Sequence, residues 1–412
     1  MSSPFRLGYL VPEFPRQTHT FFWRESEQLR RLGVEPVFLS TRKPPPAACP
    51  HEFRDRAAAA THYVFPPPAA SVLNLLARPL GALRAFGYWL GLHGPIKQRL
   101  RHLGVLICAA HLTAYCRRHG VPHIHVHSCG QAALLAAFAQ RLGGPGYSLT
   151  LHNPLVDHGP HQRQKWRYAR FGIVVNRRLL DEVRTAVGSE TPPLYVASMG
   201  VDLVAFRRSI PYRPADPAGP IQVFACGRLH PGKRHDLLIR SIGLLRGEGL
   251  DVRLVIVGED ADSGTGQYRR DLETLVAELG LQASVQLPGA QPEAGVRRWL
   301  EAAHVFALTS DTEAMPIVLV EAMAMGVPVI TTDVGGTTEL VKDNENGIVV
   351  PPGDLPAIAA AIRRVTADAA LALRFSSAGR TTVEAGFGSE RSAKTIVEGL
   401  RAHGAMSDSS PA

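Results

Sequence analysis

Residues 313–336 have the sequence EAMPIVLVEAMAMGVPVITTDVGG. Pro316 favours the first turn of a helix and Gly326 its end. The VPVITT segment that follows has the apolar, β-branched composition of a buried strand. A helix, a buried strand and a glycine turn in this order are typical of a parallel α/β sheet. If one helix includes both carboxylates, Glu313 and Glu321 are two turns apart and face the same side.

The same alternation of strand and helix extends along the chain in both directions. Predicted strands include FRLGYLV at 5–11, HIHVH at 123–127 and IQVFACG at 221–227. The chain has 412 residues, 45% of them hydrophobic, which is enough for two cores. We therefore predict an α/β protein with two Rossmann-like domains that face each other across a cleft.

A segment rich in proline and alanine, at about 209–220, predicts the linker between these domains. The predicted bounds are 1–208 for the first domain and 209–388 for the second. Residues 389–412 are predicted to form a C-terminal helix, which packs back on the first domain, and a flexible tail.

Composition and motifs exclude several classes of protein. The five cysteines are scattered without a CxxC pair, and neither a bilayer-spanning segment nor a signal peptide is evident, which predicts a cytoplasmic protein. The net charge of +9 is spread along the chain without a nucleic-acid recognition motif. The loop at 12–18 has no glycine, and the segment at 227–233 is GRLHPGK, so neither a dinucleotide fingerprint nor a P-loop is present.

The GRLHPGK segment has the chemistry of an anion site. Gly227 ends a predicted strand, and Arg228 and Lys233 follow on a loop that opens a helix near Asp236. Two cations and the N–H groups of a helix start attract phosphate without a metal ion. A solvated basic loop is the alternative, but the position at the carboxyl end of a strand favours a ligand site.

The segments GRLHPGK (227–233), EAMPIVLVE (313–321) and ENGIVVPPGD (345–354) resemble the family 4 retaining glycosyltransferases, which have the GT-B fold. The resemblance implies that Arg228 and Lys233 bind the diphosphate of a nucleotide-sugar donor. It implies that Glu313 contacts the donor sugar and Glu321 the ribose. The remaining donor-binding residues expected on this basis are Gly227, Met315, Pro316, Ile317 and Val318.

The first domain is similar to a subgroup that acts in bacterial exopolysaccharide assembly, on the evidence of PEFPRQTHTFF at 12–22. His19 stands where that subgroup has an acid. His127 and His152 follow predicted strands, and we expect His19 and His127 on the acceptor side and His152 as a catalytic group. Alternating His123, His125 and His127 share a strand face, where hydrogen-bonded imidazoles are a better interpretation than zinc ligands.

These observations predict a retaining glycosyltransferase of cell-surface polysaccharide biosynthesis that needs no cofactor. Its donor is a nucleoside-diphosphate sugar and its acceptor a hydroxyl of a glycan, glycolipid or lipid-linked molecule. The basic amphipathic stretch at 72–116 predicts a peripheral contact with an anionic membrane, the inner face of the plasma membrane, against the alternative of a helix packed on the first sheet. A nucleotide-sugar epimerase and a non-catalytic nucleotide-sugar-binding protein are the alternative functions.

Overall fold

The computed structural model describes residues 4–260 and 266–407. It divides the chain into two compact units. Unit 1 consists of Met1–Ser198 and Ser389–Ala412, and unit 2 of Met199–Gly388.

Each unit is built on one parallel sheet. The strands are β1 Phe5–Leu10, β2 Val34–Ser40, β3 His62–Tyr63, β4 His123–Val126, β5 Gly146–Leu151, β6 Gly172–Val174, β7 Leu194–Val196, β8 Ile221–Cys226, β9 Val252–Val257, β10 Val285–Gly289, β11 Val305–Leu308, β12 Val329–Thr332 and β13 Ile348–Val350. The strand order is β3-β2-β1-β4-β5-β6-β7 in unit 1 and β10-β9-β8-β11-β12-β13 in unit 2.

Helices connect the strands. They are α1 Thr20–Arg31, α2 Arg54–Ala60, α3 Ser71–Leu76, α4 Pro79–Leu90, α5 Ile96–Arg118, α6 Gln131–Arg141, α7 Gln162–Trp166, α8 Arg177–Val187, α9 His235–Gly247, α10 Gln267–Glu278, α11 Glu293–Ala302, α12 Ile317–Ala324, α13 Thr337–Leu340, α14 Leu355–Ala367, α15 Ala369–Gly386 and α16 Ser389–Ala402.

Both sheets have the doubly wound strand order of a Rossmann fold. In this order successive strands are added first on one side of the first strand and then on the other, and ligands bind at the carboxyl ends of the strands on either side of that switch point. The switch lies between β1 and β4 in unit 1 and between β8 and β11 in unit 2. Every residue of β4 and β11 is buried, as expected for parallel strands covered on both faces.

The boundary between the units lies ten residues before the predicted one. Residues 199–208 belong to unit 2 because their backbone and side chains are fixed there. Arg380 donates to the carbonyl of Phe206 at 2.7 Å, and Arg208 donates to the carbonyl of Met325 at 2.7 Å. The predicted bound at 208 is therefore corrected to 198. The proline-rich composition at about 209–220 predicted the linker there. The contacts of residues 199–208 with α12 and α15 instead place the start of unit 2 before that segment.

Helix α16 returns the chain to unit 1. Its buried face, which includes Ala393, Ile396 and Leu400, joins the same apolar cluster as Leu7 and Phe22. The helix packs against α1. The C-terminal segment is thereby part of the core that supports the carboxyl edge of the unit 1 sheet.

Candidate functional site

The carboxyl edge of the unit 2 sheet brings Lys233 and Glu313 together. The Lys233 ammonium donates to Oε1 of Glu313 at 2.5 Å, and both side chains are largely buried, with 18% and 8% exposed. Lys233 follows β8 and Glu313 follows β11, so the pair lies at the topological switch point. Residues 80 positions apart in sequence thus form one charged group where this fold binds ligands.

Several hydrogen bonds hold the loop that carries Lys233. The N–H of Asp311 donates to the carbonyl of Gly232 at 2.9 Å, and the Thr309 hydroxyl donates to the carbonyl of Arg234 at 3.0 Å. Arg234 is the N-cap of α9, with a left-handed φ of 50°, and forms ion pairs with Asp236 and Asp311. The loops after β8 and β11 are therefore tied to each other.

Gly227 and Arg228 lie where the sequence placed them, at the end of β8 and on the exposed part of the same loop. The Gly227 carbonyl would be 1.8 Å from a Cβ at Gly258, so glycine must follow β9 to let this loop approach. The His235 ring is hydrogen-bonded to the backbone of Arg228, and burial lowers the pKa of His235 to about 4. A neutral imidazole thus fixes the start of the cationic loop.

The prediction that Glu313 and Glu321 lie on the same side of one helix is wrong. Helix α12 begins at Ile317, and its N-cap Pro316 has extended backbone angles of φ −76° and ψ 106°. Proline restricts the residue before it to extended conformations, so the helix does not continue back to Glu313. Glu313 belongs to the loop after β11, and only Glu321 lies on the helix. Pro316 has no N–H and therefore cannot donate to phosphate.

Both glutamates still approach the end of β8. Burial raises the pKa of the Cys226 thiol, the Glu321 carboxylate raises it further, and the Lys233 ammonium opposes this shift. The Cys226 thiol thus lies within electrostatic range of the Glu321 carboxylate and of the Lys233 ammonium, which is paired with Glu313. Glu321 is buried, and Met315, Ile317 and Val318 surround the N-terminus of α12. The structure accordingly brings the predicted donor-binding residues of unit 2 to one edge of one sheet.

Sequence reasoning missed Ser310, the last residue before the Glu313 loop. Its side chain is fully buried, and its hydroxyl donates to Oε1 of Glu313 at 2.7 Å. Its carbonyl accepts from the Thr332 hydroxyl at 2.6 Å. The signal was the pair of hydroxyl residues, Thr309 and Ser310, that follows the apolar strand β11 at the ligand-binding edge of the sheet.

In unit 1, His127 and His152 form part of a buried polar network. Nδ1 of His127 lies 3.2 Å from Nε2 of His152, and Nε2 of His127 lies 3.3 Å from the carboxylate of Glu25. The Tyr9 hydroxyl donates to the same carboxylate at 2.5 Å. Tyr9, His127 and His152 come from the neighbouring strands β1, β4 and β5 or directly follow them, so the network spans the switch point of this sheet.

Burial favours the neutral form of each group in this network, so it lowers the pKa of the histidines and raises the pKa of the glutamate. It lowers the pKa of His152 to about 3 and that of His127 well below its ordinary value. It raises the pKa of Glu25 to about 6, against hydrogen bonds from Tyr9 and Ser392 that lower it. Sequence reasoning missed Glu25, although a carboxylate between Phe22 and Leu29 on the apolar face of α1 was a usable signal.

His127 is 5% exposed, and its ring nitrogens face Glu25 and His152. His127 therefore positions Glu25 and His152, and its ring nitrogens do not face solvent where an acceptor would bind. Its direct contact with an acceptor stays a prediction. His19 is the N-cap of α1, and its ring accepts from the N–H of Arg16 at 3.2 Å. Burial and the charge of Arg16 lower the pKa of His19 to about 3.

The remaining histidines of β4 are hydrogen-bonded to hydroxyl groups. Nδ1 of His125 lies 2.7 Å from the Ser148 hydroxyl and its Nε2 lies 2.7 Å from the Thr150 hydroxyl. Nε2 of His123 lies 2.9 Å from the same Ser148 hydroxyl. The alternation of histidines on this strand is therefore matched by hydroxyl residues on β5.

Comparison with known proteins identifies the family of the segment that contains this edge. Residues 207–382 match the family described as "Glycosyl transferases group 1". The matched segment makes up most of unit 2, so this unit contains a group 1 glycosyltransferase domain. The matched segment contains the Lys233–Glu313 pair and the start of α12.

Relatives in sequence include proteins named for exopolysaccharide biosynthesis. The chain is 26% identical over 376 residues to a protein named as the colanic acid biosynthesis glycosyltransferase WcaL of Escherichia coli K12, with 86% of this chain and 89% of the relative covered. It is 28% identical over 227 residues to the amylovoran biosynthesis glycosyltransferase AmsK of Erwinia amylovora, with 54% of each chain covered.

Similar solved structures show the same fold. Sucrose-phosphate synthase from Thermosynechococcus elongatus has a TM-score of 0.74 at 21% identity, with 98% of this chain and 100% of that chain covered. Anabaena Alr3699/HepE, solved in complex with UDP, has a TM-score of 0.73 at 18% identity, with 96% and 99% covered. The predicted fold class, α/β of the GT-B kind with two Rossmann-like domains, is confirmed.

Proposed function

We propose that this glycosyltransferase transfers a sugar, with retention of configuration, from a nucleoside diphosphate to a hydroxyl of a glycan or lipid-linked acceptor in cell-surface polysaccharide biosynthesis. The Lys233–Glu313 pair at the switch point of unit 2 is the observation that carries this proposal. The relatives named for colanic acid and amylovoran biosynthesis support the acceptor class.

The geometry of the pair suits a donor that carries phosphate beside sugar. A lysine ammonium has three N–H donors, so Lys233 can keep its bond to Glu313 and donate two more to diphosphate oxygens. Both side-chain hydrogen bonds of Glu313 among the described residues fall on Oε1, which leaves Oε2 for a sugar hydroxyl. One ion pair thereby fixes the donor at the junction between its sugar and its diphosphate.

Cleavage of the anomeric C–O bond develops negative charge on the departing diphosphate. Lys233, Arg228 and the N–H groups of Ile317 and Val318 oppose that charge where it appears, which lowers the barrier. In this proposal Glu321 holds the ribose. The departing phosphate oxygen takes the proton of the acceptor hydroxyl, so atoms and charge balance without a protein nucleophile.

Unit 1 supplies the acceptor side. The neutral His152 is a hydrogen-bonding group at the carboxyl edge of its sheet, and the Glu25–His127 contact sets its ring orientation. No helix among the described residues is long and apolar enough to cross a bilayer. We propose a peripheral contact with the cytoplasmic face of an anionic membrane through α4, where Leu80 and Leu83 are 73% and 68% exposed.

Turnover of variants tests the donor site. A thermal-shift panel of nucleoside diphosphates first identifies the base, and release of that nucleotide from the sugar donor then measures turnover. Lys233→Ala and Glu313→Ala are each expected to raise the barrier by about 2–4 kcal/mol, because each removes charge stabilisation made at the departing diphosphate or its sugar. Lys342→Ala and Glu345→Ala, at exposed positions of the same unit, are the matched controls.

Normal turnover in both site variants contradicts the proposal. Interconversion of the donor sugar without an acceptor would indicate an epimerase, and nucleotide binding without product from any acceptor would indicate a binding protein. Loss of turnover in the site variants with unchanged unfolding temperatures supports transfer.

A further inference from the structure

Unit 1 contains a cavity of about 430 Å³ that the donor site does not involve. Its walls come from the segments that follow β2 and β3, from α5 and from the start of α6. The lining includes Arg42, Phe65, Arg101, Gly104, Val105 and Gln131. The cavity has the size of a small-molecule site and lies at the carboxyl ends of parallel strands, where ligands of this fold bind.

The polar part of the cavity is positively charged. Arg42 and Arg101 line it, and the Arg42 guanidinium lies 4.9 Å from the centre of the Phe65 ring. Within the described part of the chain, neither guanidinium forms an ion pair with a carboxylate. The surrounding sequence adds to this positive charge, since residues 56–156 include nine lysines and arginines but no aspartate or glutamate. An anion is the complementary ligand.

The other part of the cavity is apolar and opens beside an exposed apolar surface. Val64, Val105 and Leu135 line it. Ile96 and Leu100, which are 68% and 56% exposed, precede Gly104 at intervals of four residues along α5. Residues at this spacing lie on the same face of a helix, so the apolar surface leads to the rim of the cavity.

We propose that this cavity binds an amphiphile in which a phosphate or diphosphate is joined to a long apolar chain. Arg42 and Arg101 hold the phosphate oxygens, and the chain lies along Val105 and leaves over Leu100 and Ile96. The ligand is the lipid-phosphate part of the acceptor, an assignment that rests on the lipid-linked acceptor proposed above. A free phosphate would leave the apolar wall without a partner, and a fatty chain alone would leave both guanidiniums without one.

Gly104 offers a direct way to fill the cavity. A Cβ added at Gly104 would meet no atom within 4 Å, so Gly104→Phe places a ring in open space without a clash with the backbone. Gly247→Phe is the matched control, since Gly247 is also a helical glycine whose Cβ would meet nothing. Arg42→Gln with Arg101→Gln removes two charges, and Arg31→Gln with Arg364→Gln, at exposed positions of α1 and α14, controls for net charge.

Binding of farnesyl diphosphate, farnesol and inorganic pyrophosphate is measured by calorimetry. The wild-type chain is expected to bind farnesyl diphosphate more tightly than either fragment. The Gly104→Phe variant and the double arginine variant are expected to weaken it by at least about tenfold, and the controls are not. Equal affinity for farnesol or pyrophosphate, or unchanged affinity in the cavity variants, overturns the proposal.

Nucleoside diphosphate binding in the same samples separates this inference from the donor site. The cavity variants are expected to retain it, which shows that unit 2 is folded and competent. If the wild-type chain binds farnesyl diphosphate but no nucleoside diphosphate, the proposed donor chemistry fails and the amphiphile site stands. If it binds the nucleotide alone, the amphiphile site fails and the donor chemistry stands.

Discussion

At the scale of single residues, the function of Glu313 depends on three neighbours, of which only Lys233 contacts the donor in our proposal. Lys233 and Ser310 both donate to Oε1, which fixes the orientation of the carboxylate plane. The backbone of Gly335 approaches so closely that its added Cβ would be 1.5 Å from the carbonyl oxygen of Glu313. Gly335 also has a φ of 55°, so two constraints require glycine at this position.

Gly335→Ala is expected to displace Glu313 and reduce turnover by more than tenfold, on the order of 2 kcal/mol of barrier, because the carbonyl of Glu313 must move. Gly280→Ala is the control. Gly280 has a similar φ of 64°, but its Cβ would meet no atom within 4 Å. Both variants are expected to lose about 1 kcal/mol of unfolding free energy for the left-handed residue, measured by urea denaturation. Gly335→Ala is expected to lose more than Gly280→Ala, because its Cβ also displaces the Glu313 carbonyl. Equal turnover in the two variants would contradict the role of close approach.

At the scale of elements, patterns within a segment were predictable and contacts between segments were not. The apolar run of β8 predicted that Arg228 and Lys233 would follow a strand at the ligand-binding edge of its sheet. The start of α12 was misjudged because Pro316 was assigned to the first turn, whereas it is the extended N-cap. Glu25 went unnoticed because its partner Tyr9 lies 16 positions away in sequence. Ser310 went unnoticed because its bond to Glu313, three residues further on, depends on the conformation of the loop between them.

Helix α4 presents an apolar face to solvent, contrary to the usual arrangement of a surface helix. Leu80, Leu83, Phe86 and Leu90 are all at least 46% exposed, while Ala85 on the opposite side is buried. Leu80→Glu with Leu83→Glu is expected to abolish flotation with vesicles that contain anionic phospholipid, because both side chains must enter the apolar region of the bilayer.

Leu373→Glu on α15, which replaces a leucine that is 50% exposed, is the control and is expected to float like the wild-type chain. Flotation of the wild-type chain is expected to decrease in neutral vesicles and at high salt, since basic residues accompany the apolar face. Undiminished flotation of the double variant would show that α4 is not the contact.

At the scale of the whole molecule, buried imidazoles are concentrated in unit 1. Burial lowers the pKa of His123, His125 and His152 to about 3, and that of His127 well below its ordinary value. In unit 2, His235 is the buried histidine, with its pKa lowered to about 4. Acid is therefore expected to affect unit 1 more strongly than unit 2.

The difference in proton binding between the folded and unfolded chain sets the direction in which stability changes with pH. Between the folded pKa of about 3 and the ordinary histidine value of 6.5, the unfolded chain binds more protons, so stability is lost as pH falls through this window. Glu25 has the opposite effect over a shorter range, because its raised pKa of about 6 lets the folded state take up a proton first. Several imidazoles outweigh one carboxyl group, so the net effect of acid on unit 1 is destabilising.

Hydrogen exchange of peptides from both units, corrected at each pH with an unstructured reference peptide, measures this difference. Protection in β4 and β5 is expected to fall from pH 7 to pH 5, while protection in β8 and β11 changes less. His125→Gln removes one titrating group and is expected to reduce the pH dependence in unit 1 alone. Parallel loss of protection in both units, or a pH dependence unaltered by His125→Gln, would mean that the buried imidazoles of β4 do not control acid stability.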